Sequence, residues 1–328
     1  MIQSSAAINV RDAALSISAD PRTYQPHFSH AGERIWPETN CYLDLWIETL
    51  HALGLDPVPA FACALSADHD GLQWTFLKQQ PEDLRRLYGL DVAEEIVWMP
   101  LLETIESGPS RGILHTVEVD SWWLPDTAGT AYRLDHVKTS IVPTRVDRRS
   151  RLMWYIHGAG LHELRDDDFD GVFGLTAGTE IVLPPYTEQI TRNLERVESG
   201  ALGRIALEHL ARRAPGNPVE RLTDGVHNAM EWLPNVGLQV FHSWAFATLR
   251  QCGATAEVAA DFAATLDEVF PGASQAESHF RAVAAGAKSV QFKMARVASG
   301  RKVEVDGVLA DMARSWQSGM DIITSSAG

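Results

Sequence analysis

The sequence predicts an α+β domain followed by an all-α helical domain, and two changes in hydrophobic periodicity lead to this prediction. Around residues 40–54 the apolar side chains recur at helical spacing. Between about 112 and 160 the pattern changes to short runs of β-branched and aromatic residues separated by Gly, Pro and Asp, which is typical of an antiparallel sheet. Beyond residue 183 a period near 3.6 in an Ala-, Leu-, Glu- and Arg-rich composition predicts a helical bundle.

Three segments follow from these changes of pattern. Residues 1–35 show little periodicity and predict an irregular leader. Residues 36–183 form the predicted α+β domain, and residues 184–328 form the predicted helical domain.

The first predicted element is a helix that begins near Thr39 or Asn40. Its apolar stripe falls at i, i+3, i+4 and i+7, the spacing of a core-facing helix: Leu43, Trp46, Ile47 and Leu50. Gly54 and Pro57 are helix-ending residues. We therefore expect a helix that ends before residue 54.

The elements that follow are shorter. The segment "LQWTFL" at 72–77 predicts a strand, and Pro81 with acidic residues behind it predicts the start of a helix. A further helix is predicted over 91–106. The three strand patterns lie at 112–119, 136–146 and 151–160, and the short link "VDRRS" between the last two predicts a hairpin.

Composition excludes several classes of function. The net charge is −15, from 28 basic and 43 acidic residues, so a nucleic-acid partner is not expected because phosphate binding needs a dense basic surface. No apolar run approaches 18 residues, so no membrane span is expected. The first 20 residues do not show a basic segment followed by an apolar block, so we expect a cytoplasmic protein rather than a secreted one.

The cysteines predict free thiols. There are three, Cys41, Cys63 and Cys252, with no CxxC spacing, which argues against a disulfide framework or a structural zinc site. Cys41 would lie in the first turn of the predicted helix, off its apolar stripe. Unpaired backbone N–H groups and the helix dipole favour a thiolate there and can hold an oxyanion. The alternative is a small buried apolar residue, the usual role of a free cysteine.

A nucleophilic thiol needs a base and a group that orients the base. His136 at the start of a strand is the leading candidate for the base, although His115, His157 and His162 also lie near strands and a strand histidine is often structural. Asp120, at the end of "VEVD", is the leading candidate for the orienting carboxylate. Glu118 and His157 remain alternatives, and the structural alternative for Asp120 is an ordinary turn-capping residue.

These segments carry a resemblance. Cys41 in "TNCYLDLWIETLHALGLDP", then "VEVDSWWLPDTAGTAY", then His136 ahead of "LMWYIHGAG", resemble the N-terminal domain of the butirosin-biosynthesis acyltransferase. They resemble still more closely an uncharacterised bacterial family related to that domain. The resemblance covers about residues 36–165 and implies a papain-like fold with the order Cys, Asp-aromatic-Leu-Pro, His.

The resemblance has two departures. In papain-like proteins the third residue commonly lies on the strand after the histidine, where this chain has Tyr155 and His157. The glutamine that often precedes the nucleophile to bind the oxyanion is also missing, and Asn40 is the nearest residue that can donate. The residues that we expect to contact the substrate are Asn40, Trp122, Trp123 and His157.

The activity that the resemblance implies is acyl transfer. Cys41 would accept an acyl or aminoacyl group from the phosphopantetheine thioester of a carrier protein, and a small-molecule amine would then take that group. No resident cofactor and no metal are expected. A cysteine peptidase or amidase with the same thiol is one alternative, and a non-catalytic module that binds a carrier protein is another.

The sequence contains other charged or histidine-bearing stretches. Two basic stretches, 145–151 and 288–302, predict either a docking patch for an acidic carrier protein or ordinary solvated surface. The histidine pair at 27 and 30 has no third ligand at a telling distance in the sequence. The acidic run at 165–170 lacks the glycine and glutamate of a calcium loop, and predicts a helix cap or an exposed turn.

Overall fold

The computed structural model describes residues 15–32, 34–179, 181 and 183–328. These residues form two compact units. The first, here called the sheet unit, comprises residues up to Gln25, Ala52–Leu55 and Pro81–Ser199. The second, the helical unit, comprises Pro26–His51, Asp56–Gln80 and Gly200–Gly328.

The strands all belong to the sheet unit, and in chain order they are β1 Leu90–Glu94, β2 Leu114–Asp120, β3 Lys138–Asp147, β4 Leu152–His157, β5 Gly160–Arg165 and β6 Thr187–Arg192. The α-helices in chain order are α1 Cys41–Ala52, α2 Pro81–Tyr88, α3 Leu101–Ser107, α4 Asp166–Phe173, α5 Ala201–Ala211, α6 Pro218–Trp232, α7 Gly237–Ala245, α8 Gln251–Leu266, α9 Glu277–Ala298 and α10 Asp306–Ser326. The predicted α+β class is confirmed, as is the helical character of the C-terminal region.

The sheet has six strands in the order β1-β6-β2-β3-β4-β5, and every described strand pair is antiparallel. The helices α3 and α4 share an apolar core with one face of this sheet. On β2, Val117 and Val119 belong to that core, so the alternation of a strand places Glu118 and Asp120 on the other face. The acidic run at 165–170 opens α4, but its aspartates lie in the first turn, and the cap residue Arg165 makes no side-chain cap hydrogen bond, so the predicted helix cap is not formed.

Three sequence predictions of secondary structure are wrong in part. Residues 91–106 are not one helix, because β1 pairs with β6 and the helix α3 starts only after Pro100. The segment "TEQITR", assigned to the helical half, is β6 and lies between β1 and β2. Residues 72–77 form no strand beyond one isolated bridge between His69 and Trp74, since the N–H of Trp74 donates to the carbonyl of Ala247.

The helical unit is built around α8. From Gln251 to Ala263 every residue of α8 is buried, and most of these residues are small. Small side chains let neighbouring groups approach closely: a Cβ at Gly253 would lie 2.3 Å from the indole nitrogen of Trp36. Within the described part of the chain, no helix combines the length and the apolar character that a membrane span needs.

The predicted first helix is confirmed as α1, and it is a core helix rather than a surface helix with one apolar stripe. Every residue from Tyr42 to Leu50 is buried, including Asp44 and Glu48. By its contacts it groups with the helical unit. Asn40, at its start, donates to the carbonyl of Leu77 at 2.9 Å and to the side chain of Gln251 at 3.4 Å.

Candidate functional site

The end of β2 and the approach to β3 bring Asp120 and His136 together. Oδ2 of Asp120 lies 2.6 Å from Nδ1 of His136. Asp120 is opposite Lys138 in the antiparallel register, and His136 precedes Lys138 by two residues. The other carboxylate oxygen of Asp120 accepts the backbone N–H of Trp122 at 3.0 Å. The carboxylate is therefore held at both oxygens and fixes the imidazole.

An aromatic stack fixes the plane of the same ring. The rings of Trp122 and His136 have centroids 4.5 Å apart and planes 9° apart, which is a parallel stack. Because Asp120 engages Nδ1, Nε2 is the ring nitrogen available for proton exchange. The side chain of His136 is 69% exposed, so a substrate can reach it. This is the arrangement of an oriented acid–base group.

A cavity of about 540 Å³ opens beside this pair. Its charged and titratable lining includes Glu118, Asp120, His136 and Lys138. Its other walls are mainly apolar and include Leu101, Val119, Trp123, Val172, Leu183, Pro184 and Pro185. A concave site with apolar walls and a few convergent polar groups is the usual form of a small-molecule site.

Lys138 is a cavity residue that the sequence analysis missed. Its ammonium group donates to Glu118 at 2.7 Å. The cavity lining therefore contains two such pairs, Lys138 with Glu118 and His136 with Asp120. The signal available in the sequence was that Lys138 lies two residues after His136, since residues two apart on a strand share a face. The pair also explains why Glu118 is not the partner of His136.

Tyr186 is a second cavity residue without a sequence signal. Its hydroxyl donates to Glu188 at 3.0 Å. Burial, together with the charge of Glu188, raises the pKa of Tyr186 to about 12. The phenol therefore stays protonated at neutral pH and keeps this hydrogen bond.

Gly171 of α4 sets the position of one cavity wall. A Cβ at this position would lie 2.1 Å from the ring of Trp123. We expect Gly171→Ala to displace that ring, to destabilise the protein by about 1–3 kcal/mol and to weaken binding of an apolar dye in the cavity. Urea unfolding and dye titration measure both effects.

The matched control for that substitution is Gly307→Ala. Gly307 is helical and has nothing within 4 Å of its ideal Cβ. Its replacement should leave stability unchanged or improve it slightly. If Gly171→Ala behaves like this control, the close packing of Trp123 against α4 is contradicted.

His157 belongs to a different network. Its Nδ1 lies 2.5 Å from Asp126 and its Nε2 lies 2.8 Å from the hydroxyl of Thr139. Tyr155 also donates to Asp126. Burial opposes the charge on Asp126, but the hydrogen bonds with His157 and Tyr155 and the charges of His157 and His162 together outweigh burial and lower the pKa of this carboxyl. Both ring nitrogens of His157 are engaged, so among the three predicted partners it is Asp120 that bonds to His136.

The remaining histidine candidates have other contacts. His115 is buried on the core side of β2, with Nε2 3.1 Å from a carboxylate oxygen of Glu95, and burial lowers its pKa. His162 is 3.2 Å from the carbonyl oxygen of His157. The predicted aromatic residues do line the region: Trp122 stacks on His136, and Trp123 forms a cavity wall.

Cys41 is the first residue of α1, as the sequence predicts. The side-chain oxygen of Asn40 accepts the N–H groups of Tyr42 at 3.1 Å and Leu43 at 2.9 Å, so Asn40 is the helix cap. Its amide nitrogen donates to the carbonyl of Leu77, so this donor is engaged within the protein and is not directed at an oxyanion. Cys41 is exposed and belongs to the helical unit, whereas Asp120 and His136 belong to the sheet unit.

The other two thiols are buried. Burial raises the pKa of Cys252, which keeps this thiol protonated. Among the described cysteines, none is in a disulfide, in line with the spacing in the sequence.

A buried charge network joins α1 to the segment before it, and it was not predicted from the sequence. His30 contacts Asp44 through Nε2 at 3.2 Å and Glu48 through Nδ1. The backbone N–H of His27 also donates to Glu48 at 3.0 Å, and the hydroxyl of Thr39 donates to Asp44 at 2.6 Å. The spacing of Asp44 and Glu48, one helical turn apart, was the available signal.

The network keeps His30 charged. Burial disfavours the imidazolium, but the hydrogen bonds to Asp44 and Glu48 outweigh burial and raise the pKa of His30 to about 9. His27, its neighbour in the "HFSH" segment, shows the opposite effect: burial lowers its pKa to about 4. The two histidines therefore hold the segment 27–30 against α1 through its buried carboxylates.

The two basic stretches make internal contacts. At 145–151, Arg145 lies over the ring of Trp154, Arg148 pairs with Glu106 at 2.8 Å, and Arg151 pairs with Asp170. At 288–302, Lys288 lies over Trp36 and Lys293 donates to the carbonyl of Glu304. These contacts favour ordinary surface over a docking patch for the first stretch. For the second, docking stays a prediction.

The described residues, which leave out 1–14 and three later positions, contain no group of three or more His, Cys, Asp or Glu side chains placed to hold a metal ion. A comparison with curated proteins gave no match. Two family models do match: the DUF1839 N-terminal domain over residues 25–192 and the DUF1839 C-terminal domain over residues 195–325. Together they cover most of the sequence. The chain therefore belongs to the DUF1839 family.

Proposed function

We propose that the protein is an enzyme of acyl transfer, in which His136 moves a proton and the adjoining cavity holds an apolar acyl group. The observation that carries this proposal is the 2.6 Å contact between Asp120 and His136 at the polar part of a cavity with apolar walls. The resemblance to the butirosin-biosynthesis acyltransferase suggests the same chemistry.

The pair supports a defined proton path. Asp120 keeps the proton on Nδ1, so the neutral ring presents Nε2 as a base. Nε2 takes a proton from the group that attacks the acyl carbonyl, and the imidazolium then gives it to the departing group. Asp120 stabilises the imidazolium between these steps.

Cys41 remains the proposed nucleophile. Its exposure and its place as the first residue of a capped helix support this role, since helix N-termini stabilise thiolates. The thiolate would attack the thioester carbonyl of an acyl or aminoacyl carrier protein and form an acyl-cysteine bond, while the carrier's thiolate leaves. A small-molecule amine would then form an amide, lose its proton and release Cys41.

The test uses an acyl thioester of pantetheine and the full chain. Intact mass spectrometry should show one acyl group on the wild-type protein and none on Cys41→Ala. Thioester consumption in the presence of an amine should fall in both Cys41→Ala and His136→Gln.

Each other outcome changes the proposal in a defined way. No thioester consumption by the wild-type protein would contradict acyl transfer. Reaction of Cys41 with peptide-like electrophiles alone would favour the peptidase or amidase alternative. Binding of a carrier protein without any adduct or turnover would favour the non-catalytic module.

A further inference from the structure

A second cavity in the sheet unit has a different character from the cavity beside His136. It measures about 260 Å³ and lies on the β1–β6 strand pair. Apart from Ala93, its lining is polar or charged, and comes from Asp91, Gln189, Thr191, Arg192, Asn193 and Arg196. Such a lining does not suit an apolar acyl group, so this cavity calls for another ligand.

The register of the strands builds the floor of this cavity. Asp91 is opposite Thr191, and Ala93 is opposite Gln189. Residues two apart on a strand share a face, so these four side chains lie together. At about 30 Å³ for each water in the liquid, the cavity has room for about nine waters, or for a small organic phosphate.

The chain at the end of β6 is tightly anchored. The N–H of Asn193 donates to the carbonyl of Gly89 at 2.7 Å. Gly89 has φ +71°, and a Cβ there would lie 2.3 Å from the carbonyl oxygen of Asn193, so the close approach requires glycine. This contact fixes the backbone between Arg192 and the following turn, Leu194–Arg196.

The two arginines in this cavity have incomplete pairing. Arg192 donates from Nε to the carbonyl of Tyr88 at 3.3 Å, and across the described ranges it has no ion pair. Arg196 is 3.9 Å from Asp91, which is longer than a hydrogen bond. The side-chain oxygen of Asn193 accepts the N–H of Glu195, which leaves its amide N–H₂ group as a donor. The cavity thus offers more donors and positive charge than Asp91 can satisfy.

We propose that this cavity binds a phosphate or sulfate group, either free or carried by a small polar molecule. The guanidinium group presents several N–H donors in a planar fork that matches such oxyanions, and Gln189, Thr191 and Asn193 can contact the polar remainder. Asp91 lines the same cavity and opposes an anion, so it limits the affinity. Neutralising Asp91 and neutralising Arg192 should therefore have opposite effects.

The experiment is calorimetric titration of the full chain at low ionic strength with inorganic phosphate, glycerol 3-phosphate and glycerol. We expect the two phosphates to bind and glycerol not to bind. Arg192→Gln should weaken phosphate binding about tenfold or more, because an arginine–phosphate contact is a strong charge-assisted pair. Asp91→Asn should tighten binding by several fold.

Arg149→Gln is the matched control. Arg149 is exposed in the β3–β4 turn, where its backbone N–H donates to Asp147, and its replacement should leave phosphate binding unchanged. Melting curves for every variant separate loss of binding from loss of fold. If glycerol 3-phosphate binds more tightly than inorganic phosphate, the ligand is an organic phosphate. If the two affinities are equal, the ligand is the free anion.

Two results would overturn the assignment. One is the absence of any saturable binding of inorganic phosphate or glycerol 3-phosphate by the wild-type protein. The other is binding that is equally strong in a folded Arg192→Gln protein, which would place the anion elsewhere. Neither result bears on the proposed acyl chemistry, because the readout requires no turnover.

Discussion

His136→Gln should lower the rate constant for acyl transfer by about 10²- to 10⁴-fold, which is the usual contribution of a positioned general acid–base group. Glutamine is polar and of similar length but cannot exchange a proton at neutral pH. We expect kcat to fall while the affinity for the acyl chain changes little, since the apolar walls remain. Single-turnover kinetics with an acyl-pantetheine thioester measure the two quantities separately.

The chain offers a matched control for this substitution. His227 contacts Asp306 at 2.9 Å in the helical unit and is also partly exposed. His227→Gln should leave the rate constant unchanged. Equal rates in the wild-type protein and in His136→Gln would show that the Asp120–His136 pair is only structural.

The second large effect concerns stability. His30→Gln should lower the free energy of unfolding by about 3–5 kcal/mol, because it removes the imidazolium that contacts the buried carboxylates of Asp44 and Glu48. Urea unfolding at neutral pH measures the loss. The His227→Gln protein again serves as the control, since its histidine–carboxylate pair is at the surface and should cost less than about 1 kcal/mol. Similar losses in the two variants would contradict the buried network.

The same network predicts a pH dependence of stability. The pKa of His30 is about 9 in the folded protein and about 6.5 in the unfolded chain, so the proton is bound more tightly in the folded state. The stabilisation is fully present below pH 6.5 and is lost as the pH rises through 9. The difference between these two pKa values corresponds to about 3 kcal/mol.

Comparing unfolding free energies at pH 6.5 and about pH 10 tests this sign. The loss at high pH should be large in the wild-type protein and much smaller in His30→Gln. A wild-type protein that becomes more stable over this interval, relative to His30→Gln, would contradict the assignment.

Local patterns predicted the parts of the fold that local forces determine. The cap at Asn40, the apolar spacing of α1 and the hairpin between β3 and β4 are short-range features, and each is present. The strand β6 was missed because its partners, β1 and β2, are distant in sequence and its composition is polar. Whether a short segment becomes a strand depends strongly on the strands beside it, so pairing between distant segments is hard to predict from the segment's own sequence.

The candidate site was predictable for a similar reason. Asp120 is the last residue of β2, and His136 lies two residues before the start of β3, so the antiparallel pairing of these strands brings the two residues together. The His30 network was not predictable from the "HFSH" segment alone, since its carboxylates lie on α1 and their burial depends on tertiary packing. The predicted strand at 72–77 is absent because Trp74 bonds to Ala247 instead of to a neighbouring strand.

The most direct test of the acid–base site is the protonation pattern of one imidazole ring. In a long-range proton–nitrogen NMR spectrum, the neutral form of His136 should carry its proton on Nδ1, and Asp120→Asn should change that pattern because the accepting carboxylate is gone. Neutral His136 with its proton on Nε2, or a spectrum that Asp120→Asn leaves unchanged, would contradict the site.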